Sequence, residues 1–151
     1  INLWYKYFDT DIEIKLASVK QINIPELSEF DQQPFIDKVD VLLDITSKFE
    51  LIRSSFILLL SSKLDFDTLS NNLKNWYELE YSVFLIELKK KNIQLSLSEA
   101  AEWMQYFNEQ KEKVQSLKSE IYRTDKEIDQ LVYKLYGLTP EEIKIVEESI
   151  K

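Results

Sequence analysis

A chain of 151 residues is one domain's length, and it carries a formal charge of −8 with no cysteine and no histidine. That removes Cys nucleophiles, His general bases, disulfides and the usual zinc ligands, and it fits a reducing compartment, so a cytoplasmic location is expected. The acidic balance also argues against a stand-alone DNA reader, which presents a basic face to phosphate.

Hydrophobic residues make up 44% of the chain, with eight Phe, eight Tyr and three Trp. That is enough for a core burying about two thirds of the unfolded surface. One glycine and three prolines leave little for tight turns, so a few long helices are expected. The longest unbroken apolar run, Phe56–Leu60, is far shorter than the roughly twenty residues that span a bilayer, and no membrane partner is expected. The chain opens at Ile1 rather than Met, so the expectation is a fragment of a longer protein.

Residues 1–27 read as the tail of a mixed domain. The stretch IEIKLA alternates apolar and polar residues like a half-buried strand, and Pro25 pushes Ile24 away from helix. Residues 28–151 read as a helical domain. Its first helix begins near Ser28–Pro34, with Ser28 or Asp31 as cap and Pro34 tolerated in a first turn. Phe35, Val39, Leu42, Phe49, Ile52, Phe56 and Leu59, with Thr46 in the gap, set out one apolar stripe reaching about Ser62. Its length leaves room for a break near Ser47–Glu50.

Leu69, Leu73, Trp76 and Leu79 then give a helical face starting near Asp67. Val83, Phe84, Ile86, Glu87 and Leu88 predict a short helix ending in Lys89, Lys90 and Lys91, where cations suit the negative helix end. Ser96 with Glu99 makes a capping box. From there Ala100, Trp103, Phe107, Gln110, Val114, Leu117, Ile121, Thr124, Ile128, Leu131 and Leu135 step by three and four, a heptad seam along a helix roughly 55 Å long. Gly137 is placed for a left-handed cap, and Thr139, Pro140 and Glu142 start a last helix whose Ile143 and Val146 fold back as an apolar patch. The fold class expected is mainly α: long antiparallel coiled-coil-like helices, shorter helices between them, and a small N-terminal extended or mixed segment. An intermolecular coiled coil is the competing arrangement.

Asp9, Asp11, Glu13 and Lys15 alternate, so a strand would set them on one face, as in a metal-dependent nuclease core. The plainer reading is the charged face of an edge strand. Glu-x-Lys recurs at 87–89, 109–111 and 142–144, which makes the pattern common here. An EF-hand is excluded because Ile14 stands where the loop needs glycine. With its one glycine at 137, the chain has neither a P-loop nor a glycine-rich cofactor loop. Lys89–Lys91, with Lys111 and Lys113, are candidates for phosphate or a solvated helix end. Trp76, Tyr77, Trp103, Tyr106 and Phe107 fall at helical spacing, and core is the expected role rather than base stacking.

From about residue 18 onward the chain resembles a known context. The stretch QINIPELSEFDQQPFIDKVDVLLD, through Ile22, Ile24, Pro25, Gln33, Pro34, Phe35, Ile36, Val39 and Asp40, looks like the end of a TaqI-like specificity domain in type II restriction-modification adenine-specific DNA methyltransferases. LSNNLKNWYELEYSVFLIELKKKNIQLSL, AAEWMQYFNEQKEK and IDQLVYKLYGLTPEEI resemble the helical tail of the same proteins. The resemblance implies a parent that methylates adenine at N6 with S-adenosylmethionine, some relatives also cleaving DNA. It implies a fragment with no catalytic, cofactor-binding or metal residue of its own. Residues 1–27 would then end a target-recognition domain and 28–151 would be a spacer or docking domain. The partners implied are DNA through the parent, an upstream methyltransferase domain, and a partner subunit or second copy along the heptad helix. Lys15, Lys20, Gln21, Lys89, Lys90 and Lys91 are the candidate DNA contacts.

Overall fold

The structure, a computed structural model, describes residues 25–64 and 69–149. Among them are five α-helices and no strand: α1 (Glu29–Leu64), α2 (Asn71–Lys74), α3 (Tyr81–Lys90), α4 (Leu97–Leu135) and α5 (Pro140–Ser149), with a 3-10 turn at Trp76–Glu78. The protein is mainly α, as its composition and periodicity predict. The strand expected at IEIKLA lies outside the described residues.

Helix starts follow from hydrogen-bonding side chains. Ser28 accepts from the Asp31 N–H at 3.2 Å. At α4 the Glu99 N–H donates to Ser96 Oγ at 3.3 Å, and the Ser96 N–H donates back to the Glu99 carboxylate at 2.8 Å. Thr139 and Glu142 repeat the arrangement at α5. Each box satisfies N–H groups that a first turn leaves orphaned. Helix ends use a left-handed residue. Gly137, at φ 62°, closes α4, with the Leu138 N–H donating to the Tyr133 carbonyl at 3.0 Å. Asn92, also at φ 62°, closes α3, with the Ile93 N–H donating to the Leu88 carbonyl at 3.1 Å. These are Schellman closures.

Three details of the middle of the chain differ from the sequence reading. Helix α1 runs without a break through Ser47–Glu50, because Ile45 and Phe49 are both buried and no Gly or Pro interrupts. Pro34 sits in the second turn rather than the first, so its missing N–H removes one backbone bond. The helix expected from Asp67 is a single turn, α2, followed by the 3-10 turn. Asn75 leaves helical geometry at φ −110° and ψ 39°, and the chain turns there. Leu73 and Trp76 are nevertheless buried, as predicted.

The described residues form two compact units, one of 25–43 and 122–149, the other within Asp44–Ile121. In the second, Phe56 of α1 is the hub. Its ring stacks on Trp76 at 3.8 Å between centroids, lies parallel to Tyr106 at 5.7 Å, and meets Phe84, Trp103 and Phe107 edge-on at 6.0 Å. Lys48, two turns earlier on α1, feels the charge of Glu120, farther along α4, so the two helices run antiparallel within this unit. The 3-10 segment is tied down on both sides. Arg53 Nε donates to the Lys74 carbonyl at 3.2 Å, and Lys118 pairs with Glu78 at 2.8 Å.

In the other unit, Ile128 and Thr124 of α4 are buried, and Phe35 and Leu42 of α1 are half-buried. Lys38 pairs with Glu127, and Lys126 reaches Glu147 of α5 at 3.7 Å. Ile143 and Val146 are half-buried, the apolar patch expected of the last helix.

Candidate functional site

The lysine run at 89–91 is the sequence's most concentrated basic feature. It forms the last turn and the cap of α3. One turn earlier, Glu87 is buried at 4% exposure, carried there because Phe84 and Leu88 on the same face enter the aromatic core. Its carboxylate accepts from Ser70 Oγ at 2.8 Å, Asn72 Nδ2 at 3.0 Å and Lys90 Nζ at 2.6 Å. Ser70 also caps α2 through the Leu73 N–H. One acidic side chain thereby locks α2 to α3. The Lys90 hydrogen bond, then Asn72 and Ser70, hold the Glu87 carboxyl down to about 2 from its usual 4.5.

Two lysines of the cluster have partners within the fold. Lys90 is committed to Glu87, and Lys111 donates to the Leu79 carbonyl at 2.7 Å and pairs with Glu80 at 3.0 Å. Lys89 and Lys113 are exposed. A helix C-terminus carries partial negative charge, so lysines there satisfy the helix before they serve an outside anion. Lys15, Lys20 and Gln21 lie outside the described residues, as do Asp9, Asp11 and Glu13. The three later Glu-x-Lys repeats have local jobs: Glu87 locks α2, Lys111 holds the 3-10 turn, and Glu142 caps α5. Trp76 and Phe107 are fully buried and Tyr77 nearly so, which fits core packing.

A second arrangement was not visible in the sequence. Pro34 and Lys38 of α1 and Arg123, Lys126, Glu127 and Leu131 of α4 line an open groove. Its charges are paired: Lys38 with Glu127, Arg123 near Glu127 at 4.0 Å, and Lys126 with Asp129 at 3.4 Å. Burial opposes the Lys126 ammonium, yet Asp129 and Glu147 outweigh it and raise its pKa. Burial, then the charge of Asp129, raises the neighbouring Asp125 carboxyl. Lys38 and Glu127 stand 89 positions apart, so only the helix pairing reveals the groove. It holds ion pairs but no nucleophile with an adjacent base. Among the described residues no three Asp or Glu side chains converge as a metal site, and no helix is long and apolar enough to cross a membrane.

No curated protein and no solved structure matches the chain. Residues 28–132, from the cap of α1 to the last turn of α4, match a family described as a domain of unknown function (DUF8810). The match covers more than half of the sequence and takes in α1 to α4 almost whole, and the chain belongs to that family.

Proposed function

We propose that this chain is a non-catalytic helical spacer from the C-terminal end of a cytoplasmic restriction-modification adenine-N6 DNA methyltransferase. It helps position the target-recognition part on DNA. The upstream domain binds S-adenosylmethionine and carries the chemistry. The resemblance of residues 22–40 and of the helical stretches supports this origin. The observation that carries the spacer role is the seam of α4: it is covered within the chain, with Phe107, Val114, Ile121 and Ile128 all at 4% exposure or less. A seam buried this way stiffens the chain and leaves its charged residues outward. The rival role, self-association along that same seam, would need those side chains twice.

The test is binding of the chain to a labelled duplex pool at low and then physiological salt. The expected result is no measurable binding at either, since −8 of net charge repels phosphate. Tight, steeply salt-dependent binding, weakened by substituting Lys89 and Lys113, would replace the spacer reading with a direct DNA contact.

A further inference from the structure

Helix α1 carries a second apolar stripe that its seam does not use. The seam in the first unit follows Phe35, Lys38 and Leu42, at three- and four-residue steps. Ile36, Val39 and Leu43 fall at i, i+3 and i+7 on another face, with exposures of 45%, 42% and 57%. Three large aliphatic side chains half open to solvent at helical spacing are what a docked helix covers. The border of the stripe is acidic. Glu29 is seven residues before Ile36, and Asp40 sits between Val39 and Leu43; both are exposed. Among the described residues Asp40 has neither a hydrogen-bond nor an ion-pair partner.

We infer that Ile36, Val39 and Leu43 form a docking face for an amphipathic helix of another protein whose apolar side is flanked by Lys or Arg. The apolar stripe supplies the contact area, and the carboxylates select the flank. A second copy of this chain is a poor occupant. The same face turned on itself would set Glu29 and Asp40 against their own counterparts, in a chain already at −8. This surface differs from the buried α4 seam, and it stands whether or not the parent is a methyltransferase.

The probe is a fluorescein-labelled synthetic helix of leucine and lysine with a heptad leucine face, titrated with the full chain. The expected result is saturable binding that weakens with salt and falls about tenfold or more in the double variant Ile36→Ser/Leu43→Ser, with helicity by circular dichroism unchanged. Asp40→Lys removes no apolar contact and is expected to weaken binding too, so the test survives misfolding of the double variant. Equal binding of a scrambled peptide of the same composition would overturn the proposal, as would unchanged binding by Asp40→Lys or no binding at all. A dimer in sedimentation that dissolves in the double variant would assign the face to a second copy and overturn it as well.

Discussion

Glu87 shows how one buried charge can be structural without being catalytic. Three donors converge on it, so Glu87→Ala strands Ser70 and Asn72 and is expected to cost about 2–3 kcal/mol in urea unfolding. Its pKa gives the sign of the acid response. The folded carboxyl near 2 lies below the usual 4.5, so its contribution is present above pH 4.5 and fades as pH falls toward 2. Glu87→Gln is expected to remove this pH dependence, as read from denaturation midpoints between pH 6 and about 2. Phe56, fully buried and stacked on Trp76, sets the larger limit: Phe56→Ala is expected to cost about 3–5 kcal/mol in the same assay. The aromatic core was legible, because Phe56, Trp76 and Phe107 fall at helical spacing. The role of Glu87 was not. Two of its three partners, Asn72 and Ser70, come from fifteen and seventeen residues earlier, where nothing in the sequence of α3 points to them.

Helix boundaries were the most legible elements, because caps are local. Ser96 with Glu99, Thr139 with Glu142, and Gly137 all act within a few residues of themselves, and each does what its position predicts. Gly137 offers a clean test. A methyl group added there would meet nothing within 4 Å, so Gly137→Ala isolates the backbone cost of φ 62° and is expected to lower stability by about 1–2 kcal/mol. The register of α1 was less legible. Val39 belongs to the expected stripe, but it is 42% exposed, while Ile45 and Leu60, absent from that stripe, are buried at 4% and 0%. The seam instead passes through Lys38, whose partner Glu127 lies on α4. A reading of α1 alone scores a lysine as surface and shifts the stripe by one residue. Both partners are over 40% exposed, so Lys38→Ala is expected to change stability by less than about 1 kcal/mol, a measure of how little the pair itself contributes.

At the scale of the whole molecule acid acts through carboxylates in both compact units. In Asp44–Ile121 the Glu87 contribution weakens as pH falls; in the other unit the Lys38 and Thr139 hydrogen bonds hold the Glu127 and Glu142 carboxyls down in the same sense, while Asp125, raised by burial, is a group whose cost acid relieves. Hydrogen exchange followed from pH 6 downward is expected to show α2 and α3 losing protection before the Asp125 turn of α4. The covered seam of α4 also predicts a monomer at micromolar concentration by sedimentation velocity in the absence of a partner. The distribution of tryptophan makes one unit observable by light. Trp76 and Trp103 both lie against Phe56, and the remaining tryptophan is Trp4. Once Trp4 is replaced by Phe, indole emission arises solely from Asp44–Ile121 while far-ultraviolet ellipticity sums over every helix. Melting curves that diverge between the two optical signals would then time the loss of one unit against the other.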